Sequence, residues 1–106
     1  MKRHIDQRER AKRAWDILTE LARHRHHTTY GGLGSRMDVH HRTCRFFLGL
    51  IQDYCRGRGI PPLQSLVVNK ASGRPGDGYM ATSTEDIRRV HQIVYSHDWA
   101  NEQNPF

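Results

Sequence analysis

The chain predicts an α+β domain of winged helix-turn-helix type, mostly α-helical with a two-stranded wing hairpin. Three observations carry this reading. Two helix signals stand either side of a tight turn, one opened by Thr28-Thr29-Tyr30-Gly31 and the next by Val39-His40-His41-Arg42. An apolar strand, Ser65 to Asn69, runs into the glycine-rich basic turn from Lys70 to Gly78. Seventeen Lys and Arg against eleven Asp and Glu give a net charge of +6, and a field of that sign draws in polyanions such as nucleic acid or acidic membrane.

The first helix is expected from about Gln7 to His24. Asp6 with Glu9 three residues on forms a capping-box pattern, and Ala11, Ala14, Trp15, Leu18, Leu21 and Ala22 recur at helical spacing. Its opposite face carries Arg8, Arg10, Lys12, Arg13, Asp16, Glu20 and Arg23, a mixed-charge set suited to solvent. Thr28 or Thr29 can cap a short second helix over Tyr30 to Arg36. Gly31, Gly32 and Gly34 weaken that helix by roughly 1 kcal/mol each relative to alanine. Packing through Leu33 and Met37 must therefore hold it.

Asp38 supplies turn chemistry before the longest apolar-periodic run of the chain. There Cys44, Phe47, Leu48, Ile51 and Cys55 share a stripe, widened by Phe46, Leu50 and Tyr54. This third helix is the expected buried centre, ending near Arg56 with Gly57 and Gly59 available as caps. Ile60-Pro61-Pro62-Leu63 cannot continue a helix and reads as a rigid connector. The strand from Leu66 to Asn69 and a partner at Tyr79 to Ala81 then form the predicted hairpin, with Lys70 to Gly78 as its tip. Ser83-Thr84-Glu85-Asp86 opens a last helix that turns Ile87, Val90, Ile93 and Val94 inward.

A length of 106 residues and a hydrophobic fraction of 36% fit one domain with one modest core. Residues 1–6 and 100–106 are expected to be flexible tails, with Trp99 as an anchor just before the second. No apolar run reaches the length of a membrane span, and the N-terminus has no apolar leader, so the expected compartment is the cytoplasm. Cys44 and Cys55 lie about 16 Å apart along one helix, too far to bridge, and read as reduced thiols.

With these elements in place, the chain resembles the C-terminal DNA-binding domain of the alkylguanine alkyltransferases and their alkyltransferase-like relatives. The matching residues are Thr28, Tyr30, Gly31 and Leu33 in the first helix start, Arg45 and Gly49 in the recognition helix, and Pro62, Val67, Val68, Asn69 and Gly73 around the strand. They span about half the chain. Where that family places its reactive cysteine, or the tryptophan that replaces it, followed by His and Arg, this chain has Gln64, Ser65 and Leu66. The resemblance therefore implies the scaffold, including a Tyr30 contact to a backbone phosphate, and not the alkyl transfer. The modules Tyr30-Gly31-Gly32-Leu33, His40-His41-Arg42, Leu48 to Cys55, Pro61-Pro62-Leu63 and Leu66 to Lys70 also resemble small bacterial domains found beside HNH-type nucleases. That second likeness implies target recognition, alongside a nuclease or another effector subunit.

The candidate interface follows. His40, His41, Arg42 and Arg45 begin the predicted recognition helix, where Arg suits guanine edges and backbone amides suit phosphate. Thr28, Tyr30, Ser35 and Arg36 are phosphate-positioning types, and Asn69, Lys70 and Arg74 lie on the wing. The expected partner is double-stranded DNA, bound by a phage, plasmid or bacterial regulator or by a recognition subunit, with no catalytic residue, cofactor or metal. Two rivals stand beside this reading. One is a small nuclease or toxin working through the histidines at 24, 26, 27, 40 and 41 with Asp38 or Asp53 as activating partner; the other is a protein-interaction adaptor with a basic face.

Overall fold

The computed structural model describes residues 6–73 and 86–106. The chain is mostly helical: α1 spans Gln7–Arg23, α2 Tyr30–Met37, α3 Cys44–Arg58 and α4 Ile87–Ser96. Short 3-10 turns lie at His41–Thr43 and Leu63–Leu66, and at Trp99–Asn101 after the last helix. Two strands, β1 at Thr28–Thr29 and β2 at Val67–Val68, make a small parallel sheet.

Helices α1, α2 and α4 each start where a capping side chain stands. Asp6 accepts hydrogen bonds from the Arg8 and Glu9 amides, and Thr29 accepts one from Gly32, so the first orphan donors of α1 and α2 are satisfied locally. Asp86 does the same for α4 through the Arg88 amide. At the other end, Gly59 closes α3 in the left-handed conformation (φ 68°) that glycine adopts without steric cost. The helix thus runs two residues past the expected Arg56, with Gly57 inside it and its first turn wound as 3-10.

The core is built on the contact between α1 and α3. From α1 come Ala11, Ala14, Trp15, Leu18 and Ala22; from α3 come Cys44, Phe47, Leu48, Ile51 and Cys55, the five residues of the predicted stripe. Leu33 and Met37 add the inner face of α2 and Leu63, Leu66, Val67 and Val94 close the far side. Trp15 lies at the middle, edge-on to Tyr54 (5.6 Å), Trp99 (5.8 Å) and Phe106 (6.2 Å). Such T-shaped pairs add to the area they bury, by roughly 0.5–1.5 kcal/mol each.

Several expectations are corrected here. Phe46, placed on the edge of the buried stripe, is 51% exposed, and Ile93 is 52% exposed. On α4 the buried positions are Val90, His91 and Val94. A face centred on those three turns Ile93 to its side. Val67 and Val68 pair in parallel with Thr28 and Thr29, a pairing the sequence reading did not include. The sheet therefore links two segments nearly forty residues apart in sequence. The proposed second arm of the hairpin, Tyr79 to Ala81, with Arg74 and the helix-opening Ser83 to Glu85, lies outside the described residues. The last residues are not loose: Asn104 donates to Lys12 O and Asp16 Oδ1, Arg8 donates to Pro105 O, and the Phe106 ring reaches Trp15 and Tyr54.

The turn between α2 and α3 depends on close packing at one residue. Gly34 is buried, and a Cβ there would sit 2.7 Å from Val39 O and 3.3 Å from His41 N. Because both contacts are backbone, no rotamer change relieves them. Asp38 takes the left-handed conformation (φ 58°) and the Val39 amide returns to Gly34 O, which folds the chain back onto α2. We expect Gly34→Ala to destabilise the fold by about 1–2 kcal/mol, net of the gain in helix propensity. Urea unfolding followed by circular dichroism measures it; an unchanged midpoint would show that the turn can yield freely.

Candidate nucleic-acid interface

Helix α2 is joined to the helical segment from His41 onward by a turn at Asp38-Val39-His40. The start of that segment is tied down by short-range bonds. The His40 ring Nδ1 accepts from the Arg42 amide at 3.1 Å, and Thr43 Oγ1 donates to His40 O at 2.8 Å. The rings of His40 and His41 stack at 4.4 Å. Between the helices runs an open groove of about 480 Å³ lined by Gly31, Gly34, Ser35, Asp38, Val39, His40 and His41.

The structure brings six of the sequence-predicted residues to this region. Ser35 and Arg36 are exposed on the last two turns of α2, and His40, His41, Arg42 and Arg45 are exposed along the start of the next helical segment. Arg13 supports them from α1, donating to Met37 O at 3.1 Å, where the negative end of the α2 dipole favours a cation. Thr28 and Tyr30 are half-buried, and Tyr30 packs against the core while its carbonyl accepts the weak Cys44 thiol bond. Asn69 and Lys70 are exposed just beyond β2. Because Thr29 is in register with Val68, the parallel strands end together, so Lys70 leaves the sheet at the same end as the N-terminus of α2. Arg74 lies outside the described residues.

The sequence reading placed Arg45 at the interface but missed the exposure of Phe46 beside it. On α3, Arg45, Phe46 and Gly49 occupy the face opposite the core, one turn apart. The Arg45 guanidinium lies 5.0 Å from the centre of the exposed Phe46 ring. A Cβ at Gly49 would meet nothing within 4 Å among the described residues. The signal was available: with Cys44, Phe47, Leu48, Ile51 and Cys55 inward, a helical wheel turns positions 45, 46 and 49 out.

Three titratable groups elsewhere are buried: Cys44, Cys55 and His91. The Cys44 and Cys55 thiols are each pushed up to about 11 by burial; the charge of Arg10 works against the shift at Cys44. At the position where the resembling family carries its nucleophile, Gln64 and Ser65 are buried, and Ser65 Oγ and Gln64 Oε1 have no hydrogen-bond partner among the described residues. His91 gives its Nε2–H to the backbone oxygen of Ser65 at 2.6 Å, so it does not activate the hydroxyl. Its ring stands 5.4 Å from His27 and 6.0 Å from Tyr95. Burial lowers the His91 pKa, assisted by the nearby His27, while the bond to Ser65 opposes the shift. Among the described residues no three His, Cys, Asp or Glu side chains group as metal ligands, and no helix is long and apolar enough to cross a membrane.

Comparison of the chain with protein-family models, curated proteins and solved structures returns no match.

Two outcomes follow from the buried groups. Iodoacetamide at about pH 8 should leave both thiols of the folded protein unmodified, because each thiolate is scarce and enclosed, and should label both rapidly in denaturant. Mass spectrometry reads the adducts, and rapid labelling of the native protein would contradict the packing of α3. For His91, the depressed pKa means that the neutral ring favours the native state. The stabilisation is therefore present above the ordinary value of 6.5 and is lost as pH falls through the lower folded value. His91→Gln, which keeps an N–H for Ser65 O, should flatten the fall in unfolding free energy below about pH 6.5; an undiminished slope would assign the acid sensitivity to other groups.

Proposed function

We propose that this protein binds double-stranded DNA as a non-catalytic recognition module of winged-helix type. The segment from about residue 39 serves as recognition helix and residues 69–78 as a basic wing. The observation that carries the reading is the exposed start of a helix whose other face is the core. Arg36, His40, His41, Arg42 and Arg45 gather there on a rigid support, with the groove between α2 and the turn alongside. A helix held this way projects its first turns without ordering cost, and Arg reads guanine while His and backbone amides meet phosphate. Lys70, emerging beside the N-terminus of α2, adds a positive charge where that helix already favours anions. The net charge of +6 supplies the long-range attraction. In a cell such a module serves as a regulator or as the recognition part of a nuclease or another effector.

Fluorescence anisotropy of a labelled duplex, titrated at several salt concentrations, tests this. With about five phosphate contacts from among Tyr30, Arg36, Arg42, Arg45, Lys70 and Arg74, log K should fall against log salt with a slope of about −4 to −5. Arg42→Ala or Arg45→Ala should narrow the gap between preferred and other sequences, whereas Lys70→Ala should weaken all duplexes alike. No duplex binding at roughly 50 mM salt, or a slope near zero, overturns the proposal.

A further inference from the structure

The exposed face of α3 carries three features that the fold does not need. Phe46 is a large ring at 51% exposure on a helix whose other aromatic and aliphatic side chains are turned into the core. Arg45 lies against it at 5.0 Å, holding the ring within a positive field while leaving much of it open. Gly49, one turn further along, sits mid-helix, where glycine is less favourable than alanine. Packing does not require it, since a Cβ would meet nothing within 4 Å among the described residues. Contrast Gly34 in α2, where a Cβ would strike backbone at 2.7 Å. A mid-helix glycine with open space over it, beside an exposed aromatic ring, leaves a shallow notch into which a flat or bulky partner can come close to the helix backbone.

Resting on the DNA-binding reading, we infer that Phe46 is an apolar wedge that enters a base step of the bound duplex, with Gly49 giving the adjoining strand its close approach to α3. An aromatic ring that stacks on a base replaces the stacking partner it displaces, and the gain is independent of which base it meets. The cost of opening the step depends on sequence, being smallest at flexible pyrimidine–purine steps and largest in stiff A-tracts. Phe46 thereby makes the protein selective for deformable DNA without a hydrogen bond to a base. Arg45 lies against the ring and supplies the charge that a purely apolar protein-docking surface lacks. That positive charge favours a nucleic acid over a protein as occupant.

The test uses the full chain and two duplexes of about 20 base pairs, one with 2-aminopurine at a central TA step and one with the probe inside an A-tract. Wild type should raise the probe's fluorescence at the TA step and leave the A-tract probe unchanged. Phe46→Ala should abolish the rise and cost about tenfold in affinity for the TA duplex. It should leave A-tract affinity and the salt slope unaltered. Phe46→Trp should restore the rise. Gly49→Ala should melt at a higher temperature than wild type yet bind the TA duplex about tenfold more weakly, a split that general damage to the fold cannot produce.

Duplex binding with the expected salt slope, but with a fluorescence response that Phe46→Ala leaves intact, overturns the wedge and spares the DNA-binding reading. Equal binding of wild type and Gly49→Ala overturns the notch and with it the inference. Failure of the wild type to bind either duplex overturns both readings. Tighter binding of a single-stranded RNA, with the same loss on Phe46→Ala, replaces the duplex step by an unpaired base and overturns the inference as stated.

Discussion

Everything else in this domain is arranged around Trp15. Its indole is 1% exposed and meets rings from three directions: Tyr54 from α3, and Trp99 and Phe106 from the end of the chain. With a hydrophobic fraction of 36% the chain cannot spread stability over a large core, so it concentrates contact on a few large rings. The arrangement also joins the two ends of the described fold. Asn104 and Pro105 bond to α1, Arg8 lies over Phe106 at 5.5 Å, and the Trp99 indole N–H satisfies Val94 O at the end of α4. Truncating that ring would remove contacts on both sides of α1 at once.

A fixed α1–α3 pair determines where the interface can be. Since α3 gives its apolar side to α1, its outer side is the surface left for function. The angle at which α2 meets it is then set by the Gly34 approach and the left-handed Asp38. Arg13 connects these two levels, because it stands on α1 and donates to the carbonyl at the end of α2. The turn residues His40 and His41 are consequently held by the core through backbone geometry rather than by their own side-chain burial.

Much of this was legible in the sequence where periodicity was strong and partners were near. Asp6 and Thr29 cap as their positions suggest, and the five-residue stripe of α3 is buried in full. What escaped was decided by distant contacts. Thr28-Thr29 is too short to show a strand pattern, and nothing local to Val67 says that its partner lies nearly forty residues earlier in a parallel register. On α4 an apolar count favours Ile93, yet His91 takes the inward place because the Ser65 carbonyl is there to accept its N–H. Phe46 was misjudged for a related reason: hydrophobicity alone put it in the core, whereas the angular position set by its neighbours puts it out. At the candidate interface, Ser35 and Arg36 were legible as polar residues before a turn, but their placement beside His40 and His41 comes from the Gly34 contact.

The departures from a well-patterned sequence are informative because the core tolerates so few of them. Buried positions of α1, α2 and α3 are apolar with the exception of Gln52 and the small Gly34, whose lack of a side chain the turn explains. By the same standard an exposed phenylalanine and a mid-helix glycine, close together on the face of α3 turned away from the core, are costs with no return among the described residues. A charged or polar residue at 46 and alanine at 49 would serve solubility and helix formation better. On the DNA-binding proposal the return comes from the bound duplex, and the arginine beside the ring supplies a positive charge that suits such a partner.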